Sequence, residues 1–364
     1  MKKQKVLLGL SGGVDSAVAA LLLQKQGYEV MGAFIKSFSR KKSRLTGKCL
    51  WREDIKYAKK IAKKLKIFLI TLNFEREYKK LVIDPMFRDY GRGLTPNPDS
   101  LCNKKIKFPL LWKAAKQFGC DYIATGHYIK KTKSGKKYNV EIPEDKTKDQ
   151  SYFLYDLTQK DLKHSLFPIG QAGLTKDEVR KIAKRHGFPN YDKLGTRGLC
   201  FIGKMDMKSF LKQKIKPKPG RILDTKENII GKHSGLAYYT IGQKAPNNPD
   251  FQVEKEYRNK TKSKLYIINK NLKNRTITIA PKNYSAAYKS KFYIIKTNFI
   301  NPVRFPIKAK VRIRHLGALH KATITKKEKI CVKLQKALPD IAPGQSCIIY
   351  QGKKILGGGE IRLH

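Results

Sequence analysis

The first half of the chain alternates between two hydrophobic periods. Apolar runs of strand length, Lys5 to Leu10, Tyr28 to Ile35, Ile67 to Leu72 and Asp121 to Thr125, are separated by stretches with apolar positions at helical spacing: Asp15 to Gln26, Asp54 to Leu65 and Phe108 to Phe118. Ala17, Ala20, Leu21 and Leu23 give the first of these helices one apolar face. Gly27 and Gly119 stand where a C-cap glycine belongs. Strands separated by helices predict βαβ units and a mainly parallel, Rossmann-like α/β sheet, whose ligands bind beyond the C-terminal strand ends. After about residue 205 the texture changes. Pro217, Pro219 and Gly220 break the chain, and short alternating runs follow: Lys264 to Ile268, Thr276 to Ile279, Lys308 to Arg314, Ala322 to Thr325, Ile330 to Leu334 and Ser346 to Tyr350. These predict two small β-rich, barrel-like units. The expected division is an α/β domain over 1–204, a small central β domain over 205–281 and a C-terminal β-barrel over 282–364.

Composition adds less than the pattern. The longest purely apolar runs, such as Val18 to Leu23, are far too short to cross a bilayer. The start, Lys2-Lys3-Gln4-Lys5 followed by Val6 to Leu10 and then Ser11-Gly12-Gly13, does not read as a signal peptide. A cytoplasmic location and no membrane partner are expected. Lys and Arg total 79 against 28 acidic residues, a formal charge of +51 that favours a polyanionic partner such as nucleic acid. The lysines also crowd ordinary helix faces (Lys59, Lys60, Lys63, Lys64), so compositional bias explains the excess almost as well. The six cysteines show no CxxC pair and no zinc spacing. Cys120, Cys331 and Cys347 fall in apolar, strand-like runs and read as small buried hydrophobes, and Cys49 as structural. Cys102 and Cys200 instead occupy polar or Gly-bearing segments expected to be loops.

The strongest chemical signal is Gly9-Leu10-Ser11-Gly12-Gly13-Val14-Asp15-Ser16, set between a strand and a helix. Successive backbone amides there can cradle phosphates at the positive end of the helix dipole. Ser11 and Ser16 add hydroxyl donors, and Asp15 can help to hold Mg²⁺. The G-K-[ST] ending of a Walker A loop is missing. Gly198 to Met205 fits G-x-x-x-x-G-K but ends in Met where a hydroxyl is needed, and it reads as a chance match.

The loop resembles that of the N-type ATP pyrophosphatases, which cleave ATP between the α and β phosphates and transfer AMP to a substrate oxygen. Further motifs narrow the resemblance: Pro96-Asn97-Pro98-Asp99-Ser100-Leu101-Cys102-Asn103, Ala124-Thr125-Gly126-His127-Tyr128, Lys148-Asp149-Gln150-Ser151-Tyr152-Phe153-Leu154, Phe167-Pro168-Ile169-Gly170, Gly198-Leu199-Cys200-Phe201-Ile202-Gly203, Tyr239-Thr240-Ile241-Gly242-Gln243 and Pro343-Gly344-Gln345-Ser346. Their ordered set, spread over the whole chain, closely resembles the bacterial-type tRNA-specific 2-thiouridylases.

That resemblance implies ATP and Mg²⁺ as cofactors, tRNA as partner and a persulfide donor, either a cysteine desulfurase or a sulfur-relay protein. It implies 2-thiolation of the wobble uridine (position 34) in the tRNAs for Lys, Glu and Gln. Gly9 to Ser16 and Gly126 would bind ATP, with the backbone of Ile35 at the adenine. Asn97, Pro98 and Asp99 would surround the target base, with Asp99 an acid/base. Cys200 would carry the persulfide and Cys102 would be its partner nucleophile, closing a Cys102–Cys200 disulfide as sulfur leaves. Lys104, Lys105 and Lys107 would favour a thiolate at Cys102. Lys148, Asp149, Gln150, Arg314 and His315 would touch tRNA, as would His127 and Gln345. Departures are Arg197 in a Thr196-Arg197-Gly198 stretch, Lys105 where relatives often carry Glu, and His315 where many carry Tyr. Two other readings stay open: another tRNA-modifying ATP pyrophosphatase, ligase or synthetase, or a non-catalytic basic RNA-binding protein.

Overall fold

The first apolar run forms β1 (Lys5–Gly9), in which Val6 and Leu8 point to one side and Leu7 to the other. All three are completely buried, as a central strand covered on both faces requires. The computed structural model describes residues 3–38, 50–193 and 206–363. Cys49, Arg197, Cys200 and the Gly198 to Met205 stretch lie outside the described residues.

β1 is flanked in parallel by β2 (Glu29–Lys36) on one side and β4 (Tyr122–Ala124) on the other. β3 (Leu69–Asn73) extends the sheet beyond β2, and β5 (Ser165–Leu166) extends it beyond β4. One face is covered by α1 (Val14–Lys25), α2 (Leu50–Leu65) and a later helix, Lys176–Arg185; the other carries Phe108–Gln117 and the segment through Leu162. From β1 the chain moves outward to β2 and β3, then returns to the opposite side of β1 for β4. The reversal puts a topological switch point between β1 and β4, with the residues that follow each strand, Leu10 to Ser16 and Thr125 to Tyr128, at its mouth.

Beyond residue 205 the β-rich expectation holds. A five-stranded sheet between Gly220 and Pro281 packs on the helical segment from Tyr78 to Ile106 through one apolar cluster. Six strands, Lys289–Phe299, Ile307–Arg312, His320–Lys326, Ile330–Leu338, Ser346–Gln351 and Lys354–Arg362, then close into a barrel, the last pairing back with the first. A hairpin of the first half, Lys130–Ser134 with Lys137–Glu141, pairs with the start of the last barrel strand and ties the barrel to the α/β domain. Cys120 and Cys347 are buried as expected, and Cys331 is half-buried. Among the described residues no helix is long and apolar enough to cross a membrane.

Candidate active site

The Gly-rich turn after β1 is built by its own hydroxyls. The Ser16 hydroxyl accepts from the Ser11 amide (3.2 Å) and donates to the Gly13 carbonyl (2.9 Å), which curls the turn into α1. Gly12 takes φ +77°, and a Cβ there would stand 2.1 Å from the Asp54 carbonyl oxygen, so only glycine fits. Gly13 caps α1 without a side-chain acceptor, leaving the first-turn amides for a ligand. Leu10 and Val14 are buried, and the Leu10 amide donates to the Ala33 carbonyl (2.8 Å); these residues can serve a nucleotide only through remaining backbone groups. Across the crevice Gly126 abuts the same turn, since a Cβ there would lie 2.9 Å from the Asp15 carbonyl carbon. Ile35, the last residue but one of β2, pairs with Leu72 and is half-buried.

Sequence reasoning missed what surrounds this turn. The Asp15 carboxylate oxygen Oδ1 accepts from the buried Tyr128 hydroxyl (2.7 Å) and pairs with the Lys176 ammonium (2.6 Å). Burial and the Asp15 charge push the Tyr128 phenol upward, so it stays a donor. Asn190, fully buried, donates to the Gly12 carbonyl (3.0 Å), and Lys193 pairs with Asp54. Lys176, Asn190 and Lys193 come from distant segments outside every motif, and Tyr128 ends the Ala124 to Tyr128 motif, which gives no sign of this contact. Among the described residues no group of three or more His, Cys, Asp or Glu could hold a metal by itself. A single carboxylate such as Asp15 does suit Mg²⁺ arriving on phosphate oxygens, since that ion takes few protein ligands.

The Cys102 motif differs from expectation. Cys102 lies in a helix, α3 (Pro98–Cys102), rather than in a loop. Pro98 sits at the helix start, and the Asn97 side chain accepts from the Ser100 amide (3.2 Å); together they nucleate the helix where loop residues were read. A wide π turn, Asn103–Lys107, follows directly and runs into α4 (Phe108–Gln117). Cys102 and Pro98 are buried; Asn97 and Asp99 are half-buried. Lys104 is engaged by Asp156 (2.7 Å), so its charge is largely neutralised there, and Lys105 is exposed.

Lys107 carries this segment to the crevice beside the Gly-rich turn. Its ammonium stands 3.4 Å from His127 Nε2, while His127 Nδ1 is 2.8 Å from the Thr125 hydroxyl. An ammonium only donates, so Nε2 is the acceptor and the ring proton sits on Nδ1. Burial, then Lys107, hold the imidazole well below its ordinary pKa, so it is neutral at physiological pH.

Around α3 the scattered motifs meet. Asn97 donates to the Ser346 hydroxyl (3.2 Å), the Thr95 amide to the Pro343 carbonyl (2.9 Å), and the Thr95 hydroxyl to that of Thr240 (3.2 Å). Asn103 donates to the Phe153 carbonyl (3.1 Å), and Tyr152 to the Ser346 carbonyl (2.8 Å) and more weakly to Gln345 Oε1 (3.4 Å). His315 packs on the Phe153 ring at 4.4 Å. Lys148, Arg314 and His315 are exposed; Arg314 also pairs with Asp340 (2.7 Å).

Asp149, read with Lys148 and Gln150 as a tRNA contact, is 0% exposed, and its side chain is turned into the fold. Its carboxylate pairs with buried Arg312 (2.5 Å) and accepts from the Ser151 amide (2.9 Å), while its carbonyl faces His315 Nε2 (3.0 Å). It braces the barrel against Lys148 and Gln150. Arg312→Ala should therefore leave a buried, unpaired carboxylate and cost about 3–5 kcal/mol. Thermal and denaturant unfolding of the full chain checks this, and a loss below about 1 kcal/mol would contradict the bracing role.

Three family models tile the chain. One described as "tRNA methyl transferase HUP domain" matches residues 4–204, "tRNA methyl transferase PRC-barrel domain" matches 208–281, and "Aminomethyltransferase beta-barrel domain" matches 289–361. A tRNA-specific 2-thiouridylase of Aliarcobacter butzleri is 36% identical over 368 residues, covering 100% of this chain and 99% of that protein. That of Blochmanniella floridana is 39% identical, covering 98% and 96%, and that of Clostridioides difficile 36%, covering 98% of each. The domain descriptions speak of methyl transfer and the relatives of thiolation; identity that runs end to end through both chains weighs more than a domain's label.

Proposed function

The chain belongs to the tRNA-specific 2-thiouridylase family, and from that premise we propose that it activates a tRNA uridine with ATP and exchanges the C2 oxygen for sulfur. The observation that supports this reading is the meeting of motifs from three parts of the chain around Asn97 to Cys102, on a segment whose Lys107 reaches His127, the neighbour of the Gly126 that abuts the Gly-rich turn.

The uridine C2 carbonyl is a poor electrophile with a poor leaving group. Its oxygen attacks the α-phosphorus of ATP, the bond to the β-phosphate breaks, and pyrophosphate leaves. Amides of the Gly9 to Ser16 turn and the α1 dipole stabilise charge on the phosphates. Asp15 would hold the Mg²⁺, which would neutralise the departing pyrophosphate. Asp99 supplies a carboxylate to take the N3 proton. The terminal sulfur of a Cys200 persulfide then attacks C2 and AMP departs. The Cys102 thiolate attacks the Cys200 sulfur, and the electron pair of the broken S–S bond goes to the sulfur left on the base. A Cys102–Cys200 disulfide remains, which a cellular thiol reductant reopens before a persulfide donor reloads Cys200. Lys148, Gln150, His127, Arg314, His315 and Gln345 face the tRNA, and Asn97, Pro98 and Asp99 frame the wobble uridine of tRNAs for Lys, Glu and Gln.

With unmodified tRNA, the products from ATP should be AMP and pyrophosphate, read by chromatography of labelled nucleotide. ADP and phosphate would contradict cleavage between the α and β phosphates.

A further inference from the structure

Lys176 belongs to none of the motifs above, yet among the described residues it makes the shortest charged contact to the phosphate turn. It is the first residue of the helix Lys176–Arg185 and is held there three ways. Thr175 and Glu178 form a reciprocal capping box, and the Lys176 amide donates to Asp145 Oδ2 (2.9 Å). Its ammonium lies 6.0 Å from the centre of the Tyr128 ring. The side chain is 14% exposed and ends 2.6 Å from Asp15 Oδ1, the same oxygen that accepts from Tyr128.

Asp15 is 33% exposed, and a pair this open to water adds little to stability. The placement has a clearer electrostatic reason. A carboxylate in the first turn of α1 is favoured by the helix dipole, but it would repel polyphosphate drawn to the same amides. An ammonium at that carboxylate removes the repulsion. It also carries three donors, of which Asp15 uses one. At the other end of the turn the Lys193 ammonium lies 3.4 Å from the Gly12 carbonyl while paired with Asp54. Among the described residues two lysines thus bracket the turn, and of these Lys176 reaches the residue at the mouth of the helix.

We propose that Lys176 is a substrate-binding residue that contacts the β and γ phosphates of ATP, turning from Asp15 toward them as the nucleotide enters, and then holds the departing pyrophosphate. The proposal rests on reading Gly9 to Ser16 as the ATP turn. A lysine suits this task as a compact point charge that follows a moving anion.

Calorimetric titrations of the full chain with ATP, AMP and inorganic pyrophosphate, at fixed Mg²⁺ and salt, test it. Lys176→Met should weaken ATP and pyrophosphate about 10- to 100-fold, the worth of one charge-assisted contact, and leave AMP within about twofold. Lys176→Arg should recover most of the loss. Equal effects on ATP and AMP, or none on either, would reduce Lys176 to a tie between two helices and overturn the proposal. Should Lys176→Met not fold, Lys176→Gln carries the same comparison. If the unaltered chain binds neither ATP nor pyrophosphate, the ATP turn itself is misread, and that failure is separate from a failure of the variants alone.

Discussion

Asp15→Ala should abolish tRNA-dependent pyrophosphate release, by about 10²- to 10³-fold or more, while the chain still folds. The size follows from what Asp15 does in the reaction and the folding from what it does in the structure. Its carboxylate is partly open to water and makes its two side-chain contacts, Tyr128 and Lys176, through one oxygen. The turn itself is shaped by Ser11, Gly12, Gly13 and Ser16, none of which needs the Asp15 side chain. Losing it leaves the buried Tyr128 hydroxyl without its acceptor, a cost of about 1–3 kcal/mol that does not unfold a chain of this size. In the proposed reaction, that carboxylate would hold Mg²⁺ on the departing phosphates. Unchanged circular dichroism with lost pyrophosphate release is the expected pair of results. A variant that retains a tenth or more of the activity would show that the turn acts without Asp15.

The second large effect concerns the cysteines. Cys200→Ser should fail to take up a sulfur atom at this position from a persulfide donor, and Cys102→Ser should take it up yet not turn over. Intact-protein mass spectrometry reads the added sulfur and nucleoside analysis reads turnover. The asymmetry follows from the proposed roles, in which Cys200 carries the sulfur and Cys102 resolves the linkage. Cys102 is only 9% exposed and sits at the C-terminal end of a helix that Asn97 and Pro98 fix in place. A fixed nucleophile must be approached by its partner, since a disulfide requires Cα atoms roughly 4.4 to 6.8 Å apart. Full activity in either variant would contradict covalent sulfur transfer between the two.

The parts of the fold written in local period were legible. β1, α1, β2 and α4 lie within a residue or two of their apolar patterns, because strand and helix periods and the glycines after them are local signals. The Gly9 to Ser16 turn was legible for the same reason. The helix holding Cys102 was not. Pro96-Asn97-Pro98-Asp99 reads as loop chemistry, and the same residues act here as an N-cap and a helix start. The barrel strand Lys354–Arg362 carries three consecutive glycines, whose close approach to neighbouring backbone no strand pattern announces. Lys176, Tyr128 and Asn190 reach the turn from more than a hundred positions away, and Asp149 proved internal only once Arg312 was in place. Such contacts are set by tertiary packing, and spacing along the chain is silent about them.

The central claim is that the chain itself exchanges oxygen for sulfur on a tRNA uridine at the expense of ATP. The direct measurement incubates the purified chain with ATP, Mg²⁺, a persulfide donor, a thiol reductant and unmodified tRNA for Lys, Glu or Gln. The tRNA is then digested for nucleoside mass spectrometry, with AMP and pyrophosphate counted in parallel. The account predicts 2-thiouridine at the wobble position, with close to one AMP and one pyrophosphate per sulfur incorporated. AMP and pyrophosphate formed with no sulfur in the tRNA, or a different modified nucleoside in its place, would contradict it.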